Sequence, residues 1–173
     1  EYTGDGAFTV GKSATLMNEA TGTIQGLKVL TVNGNVANSG VIDVSETTTL
    51  GQSGNLTQTE NAVLRTGKLS VQGSQFDGIG GTLIMGELSF EGNGPATVNF
   101  AQNQKEMVLR QAKLDGGKGL TYNVGSDKIL TFGTEGGLVG KLADLDPSLT
   151  VNNGALVAGQ SVTIGKNGTV NVG

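Results

Sequence analysis

The chain has no cysteine and no histidine. Without cysteine there is no disulfide, no thiolate metal site and no thiol nucleophile. Without histidine the commonest general base and transition-metal ligand is missing, so neither Ser-His-Asp nor Cys-His chemistry can be built. Tryptophan is also absent, proline occurs twice, and aromatic residues make up 4% of the 173. Charged residues are 15% and the net charge is −4, with no basic cluster. Nucleic acid is therefore not an expected partner. No apolar run approaches the ~20 residues of a membrane-spanning helix, and no signal-peptide pattern is present. The chain starts at Glu1 rather than Met, and the expectation is a mature or excised segment.

What is abundant is glycine, at 30 residues, alongside many Val, Ile and Thr. Glycine follows no three-residue period, which excludes collagen. The low net charge and frequent β-branched residues exclude a disordered chain.

A short phrase recurs: apolar, Thr or Ser, apolar, then commonly Gly or Asn. It reads Phe8-Thr9-Val10-Gly11, Leu30-Thr31-Val32-Asn33, Leu69-Ser70-Val71-Gln72, Leu88-Ser89-Phe90-Glu91, Leu130-Thr131-Phe132-Gly133, Leu149-Thr150-Val151-Asn152 and, with Asn in the middle, Val170-Asn171-Val172-Gly173. Degenerate copies, Thr48-Thr49-Leu50-Gly51 and Ala112-Lys113-Leu114-Asp115, fill the two long gaps. A period of roughly twenty residues marks a solenoid. Each phrase has the period of two of a strand with one buried face, and the Gly or Asn after it suits a sharp corner. A second apolar patch lies between phrases, as in Val41-Ile42-Asp43-Val44 and Thr82-Leu83-Ile84-Met85. One such unit cannot bury its own apolar face, but stacked units can.

The expected fold is all-β: a single solenoid domain over residues 1–173, with about nine coils of ~20 residues. The phrases predict an inward ladder (Phe8, Leu30, Leu69, Leu88, Leu130, Leu149, Val170) and an outward polar ladder (Thr9, Thr31, Thr49, Ser70, Ser89, Lys113, Thr131, Thr150, Asn171). An antiparallel β-sandwich with evenly spaced strands is the alternative. Two stretches break the rhythm and are expected to protrude. Residues 102–112 lack Gly and Pro and hold helix formers, and read as one short helical turn or a bulged strand in a longer coil; residues 138–147 place Leu138, Leu142 and Leu145 at helical spacing before Asp146-Pro147.

Chemistry is sparse. Asp144/Asp146 and Glu87/Glu91 are carboxylate pairs without the aromatic platform of sugar-cleaving sites, and solvated surface carboxylates are the plainer reading. Asp144 and Asp146 supply two oxygen ligands where Ca²⁺ takes six to eight. Gly116-Gly117-Lys118-Gly119 lacks the Asp of a calcium β-roll. No cofactor or metal is expected. Ice binding would need regular Thr-x-Thr rows, and the second outward positions (Gly11, Asn33, Gln72, Glu91, Gly133, Asn152) are mixed.

Phrases such as Leu30-Thr31-Val32-Asn33-Gly34-Asn35-Val36-Ala37-Asn38-Ser39-Gly40 and Ser148-Leu149-Thr150-Val151-Asn152-Asn153-Gly154 resemble the coils of bacterial surface β-solenoids, namely autotransporter passengers and filamentous-haemagglutinin-like adhesins. The resemblance is of style and covers nearly the whole chain. It implies a right-handed parallel β-helix, export from a Gram-negative cell to the surface or medium, and adhesion, aggregation or matrix building. The expected function is thus non-enzymatic: a rigid rod that self-associates end to end or laterally, or contacts a host-cell or sister-cell surface. One alternative is the subunit of a self-assembling extracellular fibre. Another is a polysaccharide-acting β-helix enzyme, for which Lys113, Asp115 and Lys118 are the nearest candidates.

Overall fold

The computed structural model describes residues 2–92, 95–112, 120–124, 129–132, 148–152, 155–158 and 169–172. They form three sheets. The long sheet stacks β1 (Tyr2–Val10), β3 (Thr23–Val32), β5 (Val41–Leu50), β7 (Val63–Val71), β9 (Gly81–Phe90), β11 (Gln104–Ala112), β13 (Ile129–Phe132) and β15 (Ala155–Ala158) in that order. A second sheet holds β2 (Thr15–Asn18), β4 (Asn35–Asn38) and β6 (Asn55–Gln58). A third runs through β8 (Gln75–Asp77), β10 (Ala96–Asn99), β12 (Leu120–Asn123), β14 (Ser148–Asn152) and β16 (Thr169–Val172). Every pairing is parallel and joins strands two apart in sequence. The chain returns to the same face once per circuit, so the fold is a β-solenoid and not an antiparallel sandwich.

The coil count differs from the nine that counting phrases predicts. The long sheet has eight strands, and the first five coils, through β10, are described with only residues 93–94 missing. Counting fails because the phrase does not say which face it occupies. Leu130 lies on β13 and Leu149 on β14, two faces of one circuit, so that coil was counted twice.

The long sheet bends along its length. In β5, Ile42, Val44, Thr48 and Leu50 are buried while Ser45 and Glu46 are both exposed. Two consecutive outward residues break the alternation, and the register shifts between Val44 and Thr47. Glycine recurs at this bend. A Cβ on Gly67 would lie 2.5 Å from the Ser45 carbonyl oxygen, so only glycine allows the backbones to come this close. The bend divides the core into two columns. Ile24, Ile42, Leu64, Leu83 and Met107 stack on one side, and Leu30, Thr48, Leu69 and Leu88 on the other. All nine are buried, and each large apolar member contributes roughly 1.5–3 kcal/mol.

Two expectations are corrected here. The seven phrases do not form one inward ladder. Phe8, Leu30, Leu69 and Leu88 share a column, with Thr48 completing it, but Leu130 pairs with Met107 in the other column, and Leu149 and Val170 pair in the five-stranded sheet. The cause is that β13 pairs only with Glu106–Leu109, the first half of β11. Residues 102–112 do not protrude either. Gln104–Ala112 is a strand of the long sheet, with Met107, Val108 and Leu109 buried. Its helix formers are overruled by the burial that alternate and consecutive apolar residues gain between neighbouring coils. The proposed protrusion at 138–147 lies outside the described residues.

Candidate functional site

Five residues of the expected outward ladder stack in register over five coils. Thr9 pairs with Thr31, Thr31 with Thr49, Thr49 with Ser70 and Ser70 with Ser89. Thr9 is exposed, Thr31, Thr49 and Ser89 are half-buried, and Ser70 is buried, its hydroxyl donating to Glu91 Oε1 at 3.0 Å. The remaining members go elsewhere. Thr131 pairs with Val108 in the first half of β11, while Thr150 pairs with Thr121 and Asn171 with Thr150 in the five-stranded sheet. Lys113, Asp115 and Lys118, the residues considered for polysaccharide cleavage, lie outside the described residues.

Thr150 and Asn171 therefore belong to a second polar face. There Gln75, Thr97, Thr121 and Thr150 form one column and Asp77, Asn99, Asn123 and Asn152 the next. Its side chains bond along the axis: Asn123 Nδ2 donates to Asn99 Oδ1 at 2.6 Å, and Asn99 Nδ2 to Asp77 Oδ1 at 2.8 Å. Gln75 Nε2 also donates to both Asp77 carboxylate oxygens, at 2.9 and 3.2 Å. The bond from Asn99, and then that from Gln75, hold the Asp77 carboxyl below its ordinary range against a smaller opposing effect of burial.

A third column was not anticipated. Asn18, Asn38 and Gln58 are buried at the corner where the three-stranded sheet turns into the long one. Asn18 Nδ2 donates to Asn38 Oδ1 at 2.8 Å, and Asn38 Nδ2 to Gln58 Oε1 at 2.7 Å. Each amide also caps a turn carbonyl of the next coil, Val41, Val63 and Thr82 in succession. Gln104 serves the same corner above, donating from Nε2 to the Gly81 carbonyl at 2.9 Å and accepting from Gly80 N–H at 3.1 Å. The sequence signal is a bare twenty-residue recurrence of amides at 18, 38 and 58.

The one described interruption of the third face falls between β6 and β8. They belong to different sheets and meet at one end, where Gln58 N–H donates to the Ile79 carbonyl at 2.5 Å. At the other end they part around a cleft of about 290 Å³. Coil length alone does not open it, since Ile24 to Ile42 is a shorter circuit than Leu64 to Leu83. The two short coils differ in this strand, where β4 has four residues and β8 three. The fifth coil then reaches over the shortened one: Asn103 Nδ2 donates to the Gln58 carbonyl at 2.8 Å and Lys105 Nζ to Asn61 Oδ1 at 2.6 Å.

The cleft is walled by Gln52, Asn55, Gln72, Gln75 and Asp77. Its floor is apolar, with Leu56, Phe76 and Ile79 all buried. Backbone polar groups also point into it. In a parallel ladder successive residues alternate in which neighbour their N–H and C=O groups address. Asn55 N–H donates to Gly34, so Leu56 faces the opposite way, toward β8. Thr97 N–H donates to Ser74, so Gln75 and Asp77 face β6. Among the described residues, neither edge has a partner strand at this end of the seam.

No family model matches the chain, and no curated protein or solved structure matches it.

Proposed function

We propose that this chain is a non-enzymatic structural and adhesive module, displayed outside the cell, whose β-solenoid holds polar side chains at fixed spacing for contact with another surface. The observation that carries this reading is the residue-for-residue stacking of Thr9, Thr31, Thr49, Ser70 and Ser89. Stacked rungs repeat every ~4.8 Å, and a rigid array of hydroxyls at that interval can engage a repetitive partner through many weak, simultaneous bonds. The style of the coils, close to that of bacterial surface solenoids, supports the same reading.

The test is aggregation of beads coated with the protein, or of cells displaying it. Thr31→Val with Thr49→Val is isosteric, keeps the strand and removes two hydroxyls from the ladder. Aggregation weakens while the thermal melt stays in place; unchanged aggregation would remove the ladder from the contact surface. Release of unsaturated sugars from an acidic glycan would replace the adhesive reading with an enzymatic one.

A second reading, a subunit of a self-assembling fibre, is favoured by one separate observation. Phe8, Leu16, Ile24 and Leu27 line a wholly apolar recess of about 80 Å³ against β1 and β2, the outermost strands of their sheets.

A further inference from the structure

We propose that the cleft between β6 and β8 is a binding site for one neutral sugar residue, free or at the end of a glycan. The inference builds on the adhesive reading by giving it a ligand class. Three features of the seam lead to it.

Size comes first. A cleft of about 290 Å³ sits at the small end of ligand sites. It suits a single pyranose ring with some retained water.

The second feature is the polar inventory. A sugar presents several hydroxyls, each donating once and accepting twice. Gln52, Asn55, Gln72 and Gln75 offer planar amides that do both. The backbone N–H and C=O groups of Leu56, Gln75 and Asp77 add fixed donors and acceptors that need no ordering on binding. Asp77 supplies the one charge on the wall. It is held ionised and oriented by Asn99 and Gln75, while Oδ2 carries only the longer Gln75 bond. That oxygen is available to accept from a hydroxyl. A lone carboxylate with no cation on the wall disfavours acidic sugars and free phosphate. Leu56, Phe76 and Ile79 are buried beneath the polar wall and expose little apolar surface, so recognition rests on the hydrogen-bonding groups.

Third, the shape excludes the other natural occupant of an unpaired strand edge, an extended peptide. A strand lying between β6 and β8 needs about 4.8 Å on each side along its whole length. The bond from Gln58 to Ile79 closes one end of the seam to a normal ladder spacing. The cleft is a wedge, deep enough for a ring and too short for a strand.

The experiment is titration of the uniformly ¹⁵N-labelled chain with glucose, galactose, mannose and N-acetylglucosamine, followed by amide chemical shifts. At least one sugar shifts the backbone amides of Leu56, Gln75 and Asp77 and the side-chain amides of Asn55 and Gln72 in a saturable way. Asp77→Asn keeps the shape and removes the charged acceptor, weakening binding by roughly tenfold. Gln72→Ala weakens it as well, while Glu46→Gln, at the bend of the long sheet, binds as the parent does. The variants' unperturbed amides report whether each remains folded. Absence of saturable shifts in the cleft with all four sugars overturns the site, as does equal binding by Asp77→Asn. A synthetic Thr-Val repeat peptide shifting the same amides would reassign the cleft to a strand. Loss of the sugar site leaves bead aggregation through the hydroxyl ladder intact, so the two readings fail separately.

Discussion

Asn38 sits at the centre of the buried amide column and makes four hydrogen bonds: it accepts from Asn18 and from Gly40 N–H and donates to Gln58 and the Val63 carbonyl. Asn38→Ala strands those partners without water, at about 1–3 kcal/mol for each buried group left unpaired. The urea midpoint of Asn38→Ala should therefore fall well below that of Asn35→Ala, whose exposed side chain lies within the ordinary surface range of about ±0.5 kcal/mol. Equal midpoints would mean that the column is not a stabilising element. Asp77 gives a pH-dependent counterpart. Its folded pKa lies below the ordinary 3.8, so its contribution to stability is in place above that value and lost as pH falls through the lower, folded pKa. Urea unfolding from about pH 5 down to pH 2 should show a smaller acid loss for Asp77→Asn than for the parent, and parallel curves would refute the polar column around it. Neither feature was visible in the apolar pattern. Alternation reports which residues face inward but not that Asn18, Asn38 and Gln58, three inward polar residues, satisfy one another. That takes knowing that residues twenty apart lie in contact.

Strand β11 shows how elements were and were not legible. The twenty-residue rhythm was sufficient for parallel stacking, because Leu30 stands two circuits before Leu69, with Thr48 between them, and Leu69 one circuit before Leu88, each flanked by polar neighbours. It was insufficient for residues 102–112, where Gln, Lys, Glu, Met and Arg favour a helix in isolation. Met107 and Leu109 occupy core columns whose other members are Leu83 and Met85, and packing against a preformed sheet edge outweighs local preference. Deleting this stretch would remove a rung rather than trim a loop. A point change tests the assignment more cleanly. Val108→Pro removes a ladder hydrogen bond in a strand paired on both sides, where proline is not tolerated. It should abolish the cooperative melt or lower it sharply, whereas a protruding loop would absorb it. The seam between β6 and β8 was beyond sequence reasoning for a different reason. It lies where β8 has one residue fewer than β4 and β6, and strand length to the single residue is not encoded in an apolar–polar pattern.

At the scale of the whole molecule, eight rungs at about 4.8 Å span roughly 34 Å. The described rungs therefore span about the width of a compact domain of this size. Under the adhesive reading, longer reach requires continuation along the axis. Parallel pairing permits it. All strands run one way around the coil, so a second molecule added head to tail keeps the same polarity, and such an interface does not close on itself. Among the described residues, β1 and β2 are the end strands of their sheets, and a strand edge is a template for further pairing. Beside them the recess of Phe8, Leu16, Ile24 and Leu27 has room for an aliphatic side chain. Sedimentation velocity over a concentration series should show reversible growth of the parent chain. Leu16→Glu, which places a charge in the recess of the first coil, should hold the protein monomeric with a lowered but still cooperative melt, because Leu16 is half-buried and packs against the core. Growth that persists in Leu16→Glu would move the contact to the lateral ladders, where Thr31→Val with Thr49→Val becomes the variant that stops it. A parent that stays monomeric across the series would remove axial assembly from the account and leave adhesion to the polar faces of single blocks.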